Sequence, residues 1–397
     1  MRTYRQLFGV PEFTPLLASF SLLATASTVS GIALASLVFA STHSPLLAAL
    51  SMFGGSLAQA VGAVALLSAA DRLPPRAAET GLAVIAGAGA AVLALPGLPV
   101  PAIFAVLFGL GLTGSVGGGV RYGLLAEILP EDAYVLGRSA LNMSSGITQI
   151  AGFAVGGVLV AALSPRGALL VAAALALTGA AVALGGLSSR PARSAGRPSV
   201  RETWRVNRLI WSSGPRRCVY LALWLPNGLI VGCEALFVSY APGHAGLLLA
   251  GAAFGMLVGD VAVGRIVPPR WRSRLVAPLL FLLAAPYLVF AVRPGLPLAV
   301  SAVVLASAGY ASNLVLMERL LELTPDDIQG QSLGLHTSGM LTLQGVGATL
   351  AGTVAQHTSA ATALVVMAAA SVAVSLALVP GLRTPAPAPA APVRTAP

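Results

Sequence analysis

The sequence contains no lysine, and all 23 of its basic residues are arginine. A P-loop lysine, which contacts the phosphates of ATP, and a lysine that forms a Schiff base are therefore both impossible. This absence excludes an ATP-driven pump of the usual kind and the lysine-dependent enzymes.

Cysteine is nearly absent as well. Cys218 and Cys233 fall on one predicted helix, where a rise of about 1.5 Å per residue separates them by roughly 22 Å. A disulfide needs Cα atoms within about 7 Å, so we expect two free thiols. The acid clusters have no His or Cys nearby, so the sequence predicts no metal, no cofactor and no hydrolytic centre.

Charge is the third scarcity. Only 9% of the residues are charged, while 56% are hydrophobic and 44 are glycine. A soluble domain would need far more polar surface, whereas glycine lets helices approach closely in lipid. The composition indicates a protein whose main partner is the lipid bilayer.

Twelve apolar segments are long enough to cross that bilayer, for which a helix needs about 20 residues. The segments are 13–40, 45–69, 78–96, 100–126, 138–163, 167–187, 217–241, 245–266, 275–292, 296–320, 332–355 and 360–380. They predict an all-α integral membrane protein with twelve transmembrane helices. The first segment is too long for a cleaved signal peptide and is interpreted as a spanning helix.

Arginine placement predicts the orientation, because positively charged loops are retained in the cytoplasm. Only Arg166 and Arg293 lie in one set of loops and Arg121 lies within a span, which leaves 20 of the 23 on the other side. We therefore expect a multi-pass protein of the cell inner (plasma) membrane with both termini cytoplasmic.

A connection between the halves, 188–215, is rich in arginine and predicts a cytoplasmic linker with an amphipathic helix along the inner leaflet. The spans on either side assign 1–187 and 216–382 to two six-helix bundles. The Pro- and Ala-rich tail, 383–397, is predicted to be disordered. Arginine beside spans is what topology demands, so nucleic acid is not an expected partner.

The two halves are related by an internal duplication with a period of 195 residues. The first set is Glu127, Pro130, Glu131, Asp132, Asn142, Gln149, Gly152 and Gly157; the second is Glu322, Pro325, Asp326, Asp327, Thr337, Gln344, Gly347 and Gly352. Recurrence of one order of features in both halves indicates two parallel bundles, an architecture used by secondary transporters.

Several short motifs resemble those of the major facilitator superfamily. They are the charged turn Asp71-Arg72-Leu73-Pro74-Pro75-Arg76, Arg121 in the fourth span, Leu-Pro-Glu-Asp at 129–132 and Gly-Phe-Ala-Val-Gly-Gly at 152–157. The last is similar to a fifth-span motif of exporters, although Phe153 stands where Pro is usual. The resemblance implies twelve helices in two pseudo-symmetric six-helix bundles.

The resemblance also implies a cytoplasmic gate. Asp71, Arg72 and Arg76 would form a latch that docks on helix ends, with Arg bridging carboxylates such as Glu127 or Glu322. Asp260 and Arg265 are a degenerate counterpart in the second half. The alternative is an ordinary turn whose arginines only set the topology.

Two charges within spans are costly and so are candidates for function. Glu234 lies deep in the seventh span, seven residues after Asn227 and on nearly the same face, and it is the candidate for proton coupling. A neutral, purely structural Glu is the alternative. Arg121 could bind an anionic substrate or pair with an acid, and it could also extend to the membrane interface.

Uncharged polar residues inside the spans predict a cavity. With Arg121 the candidates are Gln59, Asn142, Gln149, Asn227, Tyr310, Asn313, Thr337 and Gln344. Such a lining suits a moderately hydrophobic, weakly polar solute, and contacts that only join helices are the alternative for each member. Glycines at every fourth position, Gly251, Gly255 and Gly259 or Gly152 and Gly156, predict surfaces for close packing or sliding.

The sequence thus predicts a monomeric secondary transporter, not an enzyme, that exports a small amphipathic organic molecule by alternating access. Proton antiport is the predicted coupling. Import of a small metabolite by proton symport is the alternative within the class. A non-transporting membrane receptor or enzyme on the same fold is the alternative from another class.

Overall fold

The computed structural model describes residues 4–65, 73–192, 200–325 and 328–382. These residues form helices joined by short turns, and no strand occurs among them. Asp71 and Arg72 of the predicted gate lie outside the described residues, as do Asp326 and Asp327 of the duplication and the predicted tail, 383–397.

Six long helices form the described part of the first half. They are α1 (Phe13–Thr42), α2 (Pro45–Ala65), α3 (Pro75–Leu93), α4 (Val100–Gly114, continued as Gly117–Ile128), α5 (Glu131–Leu163) and α6 (Pro165–Gly186). Proline begins α2, α3 and α6, where its missing N–H would have no partner in any case. At the end of α1, His43 adopts a left-handed conformation with φ 50° and donates its N–H to the carbonyl oxygen of Phe39.

Six more long helices form the second half as far as the structure describes it, and several are irregular. They are α7 (Gly214–Ala235, continued as Phe237–Tyr240), α8 (Ala245–Val261, continued by the π turn Ala262–Ile266), α9 (Pro269–Ala284, continued by the 3₁₀ segment Ala285–Val292), α10 (Leu296–Ala308, the 3₁₀ turn Gly309–Ala311 and Ser312–Glu322), α11 (Gln329–His357) and α12 (Ala360–Leu382). Pro278 and Pro286 accompany the irregularity of α9, because proline cannot donate to the helical ladder.

The prediction of twelve spanning helices in two bundles is confirmed. Within the described residues, eleven helices are long and apolar enough to cross a membrane. The twelfth, α11, has 29 residues and enough length, but polar side chains occur along it and lower its hydropathy. Helix starts differ most from prediction: α5 begins at Glu131 and α9 at Pro269, since polar first turns extend beyond the apolar core.

The surface of α6 shows how the bundle faces lipid. Leu170, Leu177 and Leu184 lie seven residues apart, which is about two helical turns, and they are 56%, 46% and 52% exposed. On another face of α6, Ala172 and Ala176 are buried in a hydrophobic cluster shared with α1. The exposed stripe is apolar because hydrocarbon surrounds it.

The two halves meet where α5 packs on α8 and α2 packs on α11. We call the side of the α1–α2 turn the far side, and the side where α1 begins and α12 ends the terminal side. On the far side, a β-carbon at Gly157 would lie 2.8 Å from the Cα of Gly246, and one at Gly352 would lie 2.7 Å from the Cα of Leu46. The duplication relates Gly157 to Gly352, so both contacts use equivalent glycines and close the far side.

Toward the terminal side, the contact between α5 and α8 is lost. Gly146 lies about three turns before Gly157 on the same face of α5, and a β-carbon there would meet nothing within 4 Å. Nearby Met143 is 48% exposed, and Leu257 and Val261 of α8 are 37% and 45% exposed. The halves therefore diverge toward the terminal side.

A linker helix (Val200–Ser212) follows the first half and packs on the second. Val206 and Ile210 are buried in the core of the C-terminal half. The ring of Trp211 stacks on that of Trp224 in α7, with 5.8 Å between centroids. The predicted helix is thus docked on protein through one face, while its contact with the inner leaflet stays a prediction.

An ionic cluster joins the segment after α6 to the start of α1. Arg190 donates through Nη1 and Nη2 to the two carboxylate oxygens of Glu12, at 2.6 and 2.8 Å. The backbone N–H of Ser188 donates to Glu12 as well, and Nε of Arg190 lies 3.5 Å from Glu127. Hydrogen bonds from Arg190 are the main cause that lowers the pKa of Glu12 to about 2.

The far-side contact can be tested with Gly157→Val. The added side chain collides with Gly246, so the halves should separate there, whereas Gly146→Val on the same helix enters open space. The readout is oxidant-induced disulfide formation between Ser44→Cys and Gln356→Cys, whose side chains are hydrogen-bonded across the halves at 2.7 Å. We expect Gly157→Val to reduce the yield several-fold, and equal yields in the two variants would contradict the contact.

The Glu12 cluster predicts a pH dependence of stability. Because folding lowers the pKa of Glu12 from 4.5 to about 2, its contribution is present above pH 4.5 and is lost as pH falls toward 2. In thermal unfolding of the detergent-purified protein, Glu12→Gln should lower the Tm near neutral pH, and the difference from wild type should shrink below pH 4.5. Glu322→Gln, at an exposed position, is the control, and a difference that grows with acid would refute the prediction.

Candidate functional site

A cavity of about 570 Å³ lies among the helices of the first half. Each helix from α1 to α6 contributes to its wall, and α11 of the other half adds Gln344. Most of the wall is apolar. The polar side chains on it are Ser27, Thr28, Ser30, Ser51, Ser56, Gln59, Thr113, Arg121 and Gln344. The volume is within the range of sites that hold small organic molecules.

Glycines of α4 make room for this cavity. Gly114, Gly117 and Gly118 line it at the point where α4 is interrupted. One turn earlier, Gly111 lets α4 approach α2, because a β-carbon there would lie 2.6 Å from the carbonyl oxygen of Gly55. Close packing on one side of α4 and absent side chains on the other together leave an open space beside Arg121.

Arg121 is held by a buried acid. Its Nη2 lies 3.2 Å from Oε1 of Glu79 in α3, and the side chains are 15% and 0% exposed, respectively. The guanidinium also lies over the ring of Phe20, 4.3 Å from the centroid. The sequence left three roles open for Arg121: binding an anionic substrate, pairing with an acid and extending to the membrane interface. In this structure Arg121 pairs with an acid and does not extend to the interface.

Glu79 was missed by sequence reasoning. The third span was predicted to begin at residue 78, so Glu79 fell at a helix end where an acid is unremarkable. In the structure α3 begins at Pro75, and Glu79 lies one turn inside the helix and fully buried. The signal that could have found it is the presence of one Glu and one Arg on neighbouring spans near the same membrane depth.

The structure divides the predicted cavity residues into three groups. Gln59, Arg121 and Gln344 line the large cavity. Asn227, Tyr310 and Asn313 line a second cavity of about 10 Å³ between α7, α9 and α10. Asn142, Gln149 and Thr337 are exposed and line neither. Helical spacing identified the faces of single helices, but it could not say which neighbouring helix each face meets.

Glu234 lies in the second half and is not among the residues that line the large cavity. It is 7% exposed, and within the described ranges no hydrogen bond or ion pair reaches its carboxylate. Tyr287 and Tyr310 are close enough to interact with it electrostatically. Its burial agrees with the sequence expectation, and its role in coupling stays a prediction.

The described gate residues do not form the expected bridge in this conformation. Arg76 donates to the carbonyl oxygen of Leu184 in its own half, and Glu127 pairs with Arg190. The remaining gate candidates, Asp260, Arg265 and Glu322, are exposed on the second half. Their role as a gate stays a prediction, because Asp71 and Arg72 lie outside the described residues.

Comparison with known proteins decides the family. The model of the Major Facilitator Superfamily matches residues 16–317. The chain belongs to the Major Facilitator Superfamily. A search of curated proteins finds no match.

Solved transporters of low sequence identity share the fold of this superfamily member. The nucleoside transporter NupG is 14% identical with a TM-score of 0.72, over 94% of this chain and 100% of that chain. A POT family transporter in complex with 5-aminolevulinic acid is 12% identical with a TM-score of 0.72, over 93% and 96%. A bacterial homologue of the human lysosomal transporter Spinster, inward-facing and unoccupied, is 13% identical with a TM-score of 0.70, over 94% and 96%.

The Arg121–Glu79 pair predicts non-additive effects on stability. Arg121→Gln leaves a buried carboxylate without its partner, which costs about 3 kcal/mol when a pair is broken in this way. Adding Glu79→Gln removes the stranded charge and should restore most of the loss. Thermal unfolding of the detergent-purified variants measures this, with the exposed Arg265→Gln as control. A double variant no more stable than Arg121→Gln would show that the two residues are not coupled.

Proposed function

We propose that this superfamily transporter exports a small amphipathic organic molecule by alternating access, in exchange for protons. The observation that carries the proposal is the asymmetry between the two sides of the molecule. Gly157 and Gly246 bring the halves into backbone contact on the far side, whereas Gly146 and Leu257 face open space toward the terminal side. A transporter that exposes its site to one side at a time needs such a difference.

The chemistry of the cavity supports an amphipathic substrate. Leucine, alanine, glycine and phenylalanine make up most of the wall, and hydroxyl and amide groups are spaced around it. A free sugar would need more hydrogen-bonding groups than this wall offers. The solved structures with the same fold include a nucleoside transporter and a POT family transporter in complex with a thioalcohol-conjugated peptide, so solutes of similar size are compatible with this fold.

Glu234 is the proposed proton carrier. It is buried in α7, and Tyr287 and Tyr310 are close enough to interact with it electrostatically. An acid without an ionic partner in an apolar bundle is expensive when it is charged, so its protonation can be linked to the conformation that surrounds it. Protonation from one side and release to the other would supply the driving force.

Orientation and assembly complete the proposal. The arginine distribution favours a terminal side in the cytoplasm, in the inner (plasma) membrane. The cavity is formed within one chain, which is compatible with a monomer. In this orientation the structure is open toward the cytoplasm, the side from which an exporter takes up its substrate.

Transport by inverted membrane vesicles tests the proposal. Uptake of amphipathic test compounds, identified by the lost tolerance of a deletion strain, should depend on the pH gradient. Glu234→Gln should reduce uptake at least about tenfold, whereas Glu318→Gln, at an exposed acid that lines neither cavity and is not a gate candidate, should leave it near wild type. Uptake that is unaffected both by collapse of the gradient and by Glu234→Gln would overturn proton coupling. A deletion strain that tolerates every test compound as well as wild type does would argue against export.

A further inference from the structure

The wall of the large cavity carries one charged side chain among its described residues. Among the described residues that line the large cavity, Arg121 is this charged side chain, and the other polar members are hydroxyls and amides. Arg121 is only 15% exposed, so little water is available to screen its guanidinium. A solute in the cavity therefore meets one concentrated positive group and an otherwise neutral surface.

Glu79, the acid that pairs with Arg121, is not part of the cavity surface. Glu79 is fully buried and is not among the lining residues, so a solute can reach Arg121 without meeting the carboxylate. The contact between them uses one atom of each group, Nη2 of Arg121 and Oε1 of Glu79. Nε of Arg121 and Oε2 of Glu79 are buried and have no hydrogen-bond partner in the described part of the chain.

In this geometry most N–H donors of the Arg121 guanidinium make no hydrogen bond to Glu79. A guanidinium and a carboxylate that fit well make two parallel hydrogen bonds, and the present pair makes one at 3.2 Å. A guanidinium has five N–H donors in a planar fork, so it can keep Glu79 on one edge and accept a second anion on another. Phe20 covers one face of the guanidinium, so a second anion would contact the planar group at its edge.

We propose that the cavity binds an amphipathic monoanion whose acidic group contacts Arg121, with Glu79 as the internal counter-ion that holds Arg121 when the cavity is empty. The inference rests on the proposed transport function and narrows its substrate class. A carboxylate or a sulfonate has the required charge, and the apolar wall receives the rest of the molecule. A dianion such as a phosphate monoester is disfavoured, because one guanidinium shared with Glu79 cannot balance two charges.

Glu79 makes the affinity adjustable. When the anion arrives, it shares Arg121 with a carboxylate of like charge, and the repulsion lowers its affinity. Glu79→Gln keeps a hydrogen-bonding group in place but removes that repulsion, so anion binding should strengthen. Arg121→Gln removes the attraction and leaves a negative group near the cavity, so anion binding should be lost. These opposite signs distinguish a binding role from a purely structural pair.

A thiol beside Arg121 can report the charge without knowledge of the natural substrate. Gly118 lines the cavity one turn before Arg121, and a β-carbon there would meet nothing within 4 Å. In a Cys218→Ser and Cys233→Ser background, Gly118→Cys is reacted in detergent with negatively charged sulfonatoethyl and positively charged trimethylammonioethyl methanethiosulfonate. The rate with the anionic reagent is divided by the rate with the cationic reagent, and the result is divided by the same ratio for free cysteine. This normalised ratio measures the preference of the site for an anion.

We expect this ratio to favour the anionic reagent at least about fivefold, to rise with Glu79→Gln and to fall below one with Arg121→Gln. The double variant Arg121→Gln with Glu79→Gln should give a ratio near one, and it serves if a single variant does not fold. Gly243 lies in an open turn on the far side, and Gly243→Cys is the matched control. Its ratio should not change when Glu79→Gln or Arg121→Gln is added.

A ratio at Gly118→Cys that favours the cationic reagent, or that is unchanged by Arg121→Gln, would overturn the anion site. Failure of both reagents to react would also overturn it, since the cavity would then be closed to small solutes. The reagents report binding-site charge and not transport. An anion-selective cavity in a protein that moves no solute in vesicles would therefore refute the transport proposal alone, and uptake of neutral solutes with no anion preference would refute this inference alone.

Discussion

Close backbone contact between the two halves on the far side is the constraint on which the rest of the structure depends. At Gly157 and Gly246 the helices α5 and α8 approach so closely that neither position has room for a side chain. The duplicated Gly352 gives α11 a similar approach to α2. Because these contacts lie near one end of the helices, they hold the halves together there and leave them free to diverge at the other end.

The two halves have kept the same helix order but carry different chemistry. The first half holds the large cavity and the Arg121–Glu79 pair, whereas the second holds the isolated acid Glu234 and the docked linker helix. Among the described residues that line the cavity, Gln344 is the one that belongs to the second half. A rocking motion of one half against the other would therefore move a wall of the cavity while α1 to α6 keep the rest in place.

Composition and hydropathy were sufficient to predict the fold, because lipid forces every span to satisfy its own backbone and so to be a helix. The repeat at 195 residues added the two-bundle arrangement. Glycines were harder to interpret: the stripe at Gly255 and Gly259 packs against α10 inside one half, while the contact between halves uses Gly246, which the spacing did not single out. Spacing reports a smooth helix face, and only the assembled bundle determines which helix covers it.

The candidate site was predicted only in part, because the sequence identifies the polar face of each helix but not the helices that this face meets. Gln59, Arg121 and Gln344 do meet at one cavity although they come from three different helices. Asn227 and Asn313 face a separate cleft, because α7 and α10 turn these positions toward α9. Glu79 could not be recognised without the true start of α3, since a shift of a few residues changes an acid at a helix end into a buried partner of Arg121.

Distances between spin labels across the two sides test alternating access most directly. Labels at Arg166 and Gly295 report the far side, and labels at Gly185 and Arg270 report the terminal side, all at exposed positions. When pH or a transported compound changes the conformation, alternating access predicts that the far-side distance lengthens while the terminal-side distance shortens. Distances that stay fixed, or that change in the same direction, would contradict a transporter that opens to one side at a time.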